Sequence, residues 1–346
     1  MIEKHAYSSE SFHFAFASDE KYVVQLQVAM LSLIKASVGN VACQCIHVLD
    51  CGISDETWWK ICDRVDSFAC KNNVIYELHR HYIDMTLFEN FREWNTSKAA
   101  YARLLLPKLI PDSRYCVYSD CDVLFVNNPW DMVLQLKRAN VAILGHRNSI
   151  DRGFTNPDEK WFEGKGEPYN KSTYFCSGLI AMDLDRLRIP GVLNSMFEFL
   201  SKYPDVVTAD QTALNWYFRN DSALDDGGWG VFPNECFGDT CVINAIHYSG
   251  GTPWKTCDSW YKYLVFKKVD DIWINFAVKM LGDEIPQRRI LYHSRILGCI
   301  AFGITFILLK LHLTFTWKRE YLRLFSDMLY KHSFFDQAKA KLLTEV

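Results

Sequence analysis

Apolar positions along this chain alternate between two spacings, and each switch marks a new element. "FHFAFAS", residues 12–18, is a compact apolar run that stops at Asp19 and Glu20, which predicts a first strand. "YVVQLQVAMLSLIKAS" follows with helical spacing, its apolar stripe formed by Val24, Val28, Leu31 and Ile34. "CQCIHVLD" predicts a second strand. "SDETWWKICDRVDSFA" predicts a helix with Ser54 as N-cap. "NVIYEL", residues 73–78, predicts a third strand, and "KAAYARLLLPKLIP" a helix broken at Pro107. "NVAILG" and "SGLIAMDL" are further strands. The stretch between them, residues 146–175, is polar, glycine-bearing and aromatic, the composition of a lid or binding loop. Strands that alternate with helices predict an α/β fold with a mainly parallel sheet covered on both faces. Such sheets bind ligands beyond the carboxyl ends of their strands. Asp19, Asp50 and Asp120 stand at such ends.

"YCVYSDCDVLFVNNPWD", residues 115–131, carries the first candidate chemistry. Residues two apart in an extended segment share a face, so Asp120 and Asp122 point one way and Cys121 the other. Two carboxylates this close repel and lose hydration unless something compensates them. A divalent cation with a taste for hard oxygen ligands, Mg²⁺ or Mn²⁺, would do so. A plain turn with aspartates capping backbone amides is the other reading. Further on, "FGDTCVINAIHYSGGTPWK" places His247 at the end of a strand. It is either a third ligand for the same ion or a capping histidine. The glycines after it expose backbone amides suited to phosphate.

Composition narrows the field. The chain has 346 residues, is 49% hydrophobic and has a formal net charge of −3. That length suits one large core with an appendage, or two domains. The near balance of charge implies no nucleic-acid partner. The first strand is not followed by G-x-G-x-x-G, which argues against a dinucleotide fold, and the P-loop pattern is missing as well. Twelve cysteines could form a disulfide framework. However, "MIEKHAYSSESFHFAF" does not read as a secretory signal, so free cysteines in a reducing cytosol are the simpler expectation.

These motifs, in this order, resemble glycosyltransferase family 8, the retaining transferases with a GT-A fold, and among them the bacterial lipopolysaccharide and lipooligosaccharide galactosyl- and glucosyltransferases. The likeness runs over about residues 12–260. It rests on "FAFASDEKY", "IHVLDCGIS", "YARLLLPKLIP" with "YCVYSDCDVLF", "FCSGLIAMDLDRLR", "TADQTALN" and "HYSGGTPW". The resemblance implies a catalytic domain over residues 1–260 and a helical extension over 261–346. It implies that Asp120, Asp122 and His247 bind Mn²⁺, or Mg²⁺, across the diphosphate of UDP-galactose or UDP-glucose. It implies that Asp19 contacts uracil, that Ala17 offers backbone to the base, and that Arg103 faces the donor sugar and phosphate. Asp210 would bind sugar hydroxyls and Gln211 would lie near the anomeric carbon. Gly250 and Lys255 would serve the phosphates. The implied acceptor is a glycan hydroxyl on a lipid-linked core oligosaccharide. A non-catalytic sugar-nucleotide binder, a self-glucosylating enzyme of the glycogenin type and a sugar-nucleotide hydrolase are the alternatives.

Two positions depart from the family pattern. Phe175-Cys176-Ser177-Gly178 has a thiol where the family commonly has asparagine, a loss of hydrogen-bonding capacity. The element after His247 is one residue short and lacks the usual lysine before Pro253; Lys255 follows Trp254 instead. Two further segments carry expectations. Trp161, Phe162, Tyr169 and Tyr174 of the 146–175 stretch would offer apolar faces to acceptor sugars, unless they fold underneath. "ILGCIAFGITFILLKLHLTFTWKREYLRLF", residues 296–325, is apolar up to Lys310, short of the ~20 residues a spanning helix needs. It either packs on the catalytic domain or, the favoured reading, lies in the bilayer surface with flanking lysines and arginines on anionic headgroups. Together with the resemblance, this predicts a cytoplasmic protein held peripherally at the cytoplasmic face of a bacterial inner membrane.

Overall fold

The computed structural model describes residues 11–93, 97–148, 157–236, 242–249, 252–255 and 260–282, together with Leu342. Strand β1 (Ser11–Ser18) leads through a 3-10 turn (Glu20–Tyr22) into helix α1 (Val23–Ala36), and β2 (Cys43–Asp50), α2 (Asp55–Lys71) and β3 (Tyr76–Tyr82) follow. A 3-10 helix (Ala99–Leu105) runs into α3 (Leu106–Leu109), then β4 (Tyr115–Ser119), β5 (Val123–Phe125), α4 (Trp130–Ala139), β6 (Ile143–Arg147) and α5 (Pro157–Lys165). The remainder is β7 (Phe175–Asp183), α6 (Leu184–Leu187), α7 (Val192–Lys202), α8 (Asp210–Tyr217), β8 (Ser222–Leu224), β9 (Ala245–His247) and α9 (Trp260–Leu281).

The main sheet has seven strands in the order β3-β2-β1-β4-β7-β6-β8, and β5 pairs with β9 beside it. β3, β2, β1 and β4 are mutually parallel, and β7 alone runs against the rest. That reversal brings the start of β7 to the carboxyl end of β4, with Leu179 opposite Ser119. The fold is thus the α/β arrangement with a mainly parallel sheet that the alternation of elements predicts, and of the GT-A type that the family resemblance implies.

Local chemistry explains most boundaries. Ser54 caps α2 by accepting the Thr57 N–H. Pro107 does not break a helix. It lies in the first turn of α3, where a missing N–H costs nothing. The third strand begins later than "NVIYEL" suggests, because Asn73 takes a left-handed φ of 52° after α2. α1 is buried from Gln25 to Ile34 rather than along one stripe, since the sheet, α2 and α9 surround it. α9 buries Val269, Ile272, Trp273, Phe276 and Ala277 in the same core as α1, β5 and β9, and Tyr248 Oη donates to the Val269 carbonyl at 2.7 Å. Leu342 is buried in that core too.

The described part of the 146–175 stretch differs from a sugar platform. Phe162 and Tyr174 are buried, and Trp161 packs edge-on against Phe199 and Tyr203. Tyr169 packs between Phe162 and Tyr174. The apolar faces of these rings cover the core under α7. Cys43, Cys45, Cys51, Cys62, Cys70, Cys116, Cys121 and Cys176 are free thiols. No helix among the described residues is long and apolar enough to cross a membrane, and residues 296–325 lie outside them.

Candidate active site

The carboxyl ends of β1 and β4, the start of β7 and the end of β9 meet at one place. Asp120 and Asp122 occupy a tight turn between β4 and β5 rather than a continuous strand. The turn still sends Cys121 inward, where its thiol donates to the Ala17 carbonyl at 3.2 Å. β9 pairs His247 with Val123, one residue beyond Asp122. His247 Nε2 lies 3.1 Å from Asp122 Oδ1 and 4.0 Å from Asp120 Oδ2. Ligand atoms of all three residues lie within 4.8 Å of one another.

The surroundings fit a cation. Asp122 Oδ1 is buried and accepts no hydrogen bond, although His247 Nε2 stands 3.1 Å away, so it is a buried acceptor without a donor. A Cβ on Gly178 would stand 2.2 Å from His247 Cε1, 2.6 Å from its Nε2 and 2.9 Å from Asp120 Oδ2. Only glycine leaves that space. His247 Nδ1 faces the Cys176 thiol at 3.7 Å, so the residue that departs from the family pattern is the one that orients the imidazole. Burial alone would lower the His247 pKa, but Asp122 and Cys176 outweigh it and hold it well above the ordinary value. The cluster demands positive charge, and a proton on His247 competes with a metal for it.

Arg103 lies beneath Asp120, 2% exposed. Its Nη2 donates to Asp120 Oδ1 at 2.8 Å, its Nε to the Ala100 carbonyl at 2.9 Å and its Nη1 to the Ser177 carbonyl. Its guanidinium covers the Tyr118 ring at 4.1 Å, and Tyr118 Oη donates to the same Asp120 oxygen. Burial works against the Arg103 charge, and the Asp120 and Asp210 carboxylates more than offset it. Arg103 therefore fixes Asp120 in place. Asp210 Oδ2 is 3.0 Å from Arg103 Nε but is not hydrogen-bonded to it, because that N–H is directed at Ala100. Burial pushes the Asp210 carboxyl up to about 6, with Arg103 opposing and Asp120 adding to the rise.

Gln211 is pinned at the start of α8. Its Oε1 accepts the Ser177 N–H at 3.0 Å and its Nε2 donates to Tyr174 Oη at 3.3 Å. Tyr174 Oη donates in turn to Asp158 Oδ2 at 2.6 Å, which also holds Thr208. Tyr174 thus positions Gln211 rather than stacking on a sugar. Ala209, just before the pair, takes φ 51° and ψ −123°, a strained backbone held by burial.

Asp19 accepts from the Lys21 N–H and from Ser97 Oγ. A cavity of about 100 Å³ connects it to the aspartates, lined among others by Ala17, Tyr22, Ala100 and Tyr118. Asp50 is not part of it; it accepts the Gly52 and Ile53 N–H groups and pairs with Arg80 at 2.7 Å. Lys255 is exposed in a turn closed on the Thr252 carbonyl and does not line the cavity. Gly250 lies outside the described residues. Sequence reasoning did not single out Tyr22, Gly178 or Tyr118. The first aromatic after the first strand and the glycine of "FCSGL" were the available signals for Tyr22 and Gly178.

Comparison with known proteins agrees with this geometry. The model of glycosyl transferase family 8 matches residues 13–257. A putative glycosyltransferase of Haemophilus influenzae is 24% identical over 214 residues, covering 60% of this chain and 59% of that protein. General stress protein A of Bacillus subtilis is 26% identical over 225 residues, covering 60% of this chain and 71% of that protein. The chain therefore spans about three fifths of the length of the first relative. The crystal structure of galactosyltransferase LgtC with donor and acceptor sugar analogues superposes with a TM-score of 0.58 at 22% identity, over 70% of this chain and 90% of that one. The bifunctional glycosyltransferase WbbM gives a TM-score of 0.56 at 16% identity, over 73% of this chain and 48% of that one. At such identities the superpositions speak for the fold. The family match covers most of the sequence, and the chain belongs to glycosyl transferase family 8, as a GT-A-fold glycosyltransferase.

Proposed function

We propose that this glycosyltransferase moves galactose or glucose from UDP to a glycan hydroxyl and keeps the donor's anomeric configuration. The observation that carries the reading is the convergence of Asp120, Asp122 and His247 at the mouth of the cavity that begins at Asp19. A divalent ion held there, Mn²⁺ or Mg²⁺, would supply positive charge against the negative charge that grows on the departing diphosphate. Asp19 and the backbone at Ala17 hold the base, with the Tyr22 ring beside them as a stacking face. Arg103 keeps Asp120 from rotating away. Asp210 accepts hydroxyls of the donor sugar, and Gln211, held by Ser177 and Tyr174, sits against its reacting side. Gly250 and Lys255 would contact the phosphates once the donor is bound. Gln211 carries no charge and is a weak nucleophile, which favours attack of the acceptor on the same face, with the leaving phosphate taking its proton.

The acceptor we propose is a lipid-linked oligosaccharide, reached by a chain held peripherally at the cytoplasmic face of the membrane. The basic residues that flank 296–310 and the length of that apolar run support this placement. A panel of UDP-hexoses incubated with Mn²⁺ and glycan acceptors tests the donor assignment. UDP-galactose or UDP-glucose is expected to turn over well above the other donors. Turnover of neither would exclude the reading.

Asp210 predicts an acid limb. Above about pH 6 its carboxylate is ionised and accepts sugar hydroxyls; below that pH it is protonated. kcat/KM is expected to fall as the pH drops through this region. Asp210→Asn should be slow and lack that limb, so an unchanged limb in the variant would assign it elsewhere.

A further inference from the structure

A row of thiols and imidazoles crosses the opposite end of the sheet. Side chains two apart share a strand face. Cys43, Cys45 and His47 of β2 therefore lie on one face together with Glu77, His79 and His81 of β3. The parallel register sets Cys45 beside Glu77 and His47 beside His79. Glu77 Oε2 is 3.9 Å from Cys45 Sγ and 3.2 Å from His79 Nε2. The three ligand atoms lie within 4.8 Å of one another.

We propose that Cys45, Glu77 and His79 form a zinc site that clamps the edge strand β3 to β2, with the fourth position open to solvent. A thiolate and an imidazole beside a carboxylate select Zn²⁺ over the hard ions suited to Asp120 and Asp122. Zinc bonds of about 2.0–2.3 Å arranged as a tetrahedron separate neighbouring ligand atoms by about 3.3–3.8 Å. The 3.2 and 3.9 Å separations bracket that range. One Glu77 carboxylate oxygen draws the donors together, accepting from the Cys45 thiol and contacting His79 Nε2. His47 is occupied on both nitrogens, by His13 at 3.1 Å and by His81 at 3.0 Å. His79 stands outside that chain, with Nε2 turned toward Glu77. The site is separate from the catalytic centre: Cys45 pairs with His13, and about 13 Å of β1 lies between His13 and Ala17 of the catalytic cavity. The Cys45 thiol gives its proton to solvent as its bond to the metal forms, and no oxidation state changes.

The test uses the full chain carrying Asp120→Asn and Asp122→Asn, which silences the carboxylates of the other cluster. Co²⁺ is added as a coloured stand-in for Zn²⁺. One equivalent is expected to give a thiolate-to-cobalt charge-transfer band in the near ultraviolet with tetrahedral visible bands, and Zn²⁺ should bleach both. Adding Cys45→Ser or His79→Ala should weaken the site at least tenfold, and Cys176→Ser should leave it intact. Zn²⁺ should raise the Tm of the parent variant and not of its Cys45→Ser derivative, whose far-ultraviolet circular dichroism confirms folding. No charge-transfer band, or a band lost with Cys176→Ser but kept with Cys45→Ser, would overturn the proposal.

Discussion

Asp122→Asn is expected to lower kcat by about 10²–10³-fold at saturating donor, the usual loss for one strong electrostatic contact in a transition state. The substitution keeps shape and removes charge from the carboxylate whose Oδ1 is buried without a hydrogen bond. Higher Mn²⁺ should recover part of the rate, since affinity for the ion falls first. Asp120→Asn should lose as much activity and also stability. Asp120 is the carboxylate that Arg103 and Tyr118 hold, and its loss leaves a buried guanidinium with less opposing charge. A lower Tm for Asp120→Asn than for Asp122→Asn, with both inactive at ordinary Mn²⁺, is the expected pattern. Full activity of the double variant, or full activity in EDTA, would remove the metal from the account.

The second large effect comes from a residue without a functional group. Gly178→Ala is expected to reduce Mn²⁺-dependent transfer to the level of Asp122→Asn. The added methyl would stand 2.2 Å from the His247 ring, which Phe232 and Cys176 confine on its other sides. The ring must then leave its place beside Asp122. The change is one of space, since Gly178 is not among the positive-φ glycines. Overpacking of this kind costs about 1–3 kcal/mol of stability. A folded variant that no longer binds Mn²⁺ by titration is the expected outcome. Wild-type Mn²⁺ affinity in Gly178→Ala would mean that the cluster is not the binding site.

The order of strands and helices was legible because apolar spacing switches between the strand and helix periods along the first 145 residues. β3 was cut short because it is an edge strand whose outer half, His79 to Tyr82, carries polar and aromatic side chains rather than an apolar face. That same cut hid the Glu77 and His79 pair beside Cys45. The Asp120–Asp122 motif and His247 are local in sequence or lie at a strand end, so their chemistry could be read from the residues. Their convergence was one of two open readings for His247 and was otherwise implied only by the family resemblance, because it depends on the β5–β9 pairing and on the reversed β7. The sequence left Tyr174 open between an acceptor platform and a folded-under ring, because its place depends on Asp158 and Thr208, which pattern alone cannot bring together. Gly178 and Ala209 were silent for a related reason: one matters for empty space and the other for backbone strain.

The most direct test is to locate the ion. Crystals grown with Mn²⁺ and UDP, measured for anomalous scattering at the manganese edge, should show one strong peak in contact with Asp120, Asp122 and His247 and with the UDP phosphates. A UDP-bound crystal without manganese at these three side chains, or with manganese bound elsewhere, would contradict the account.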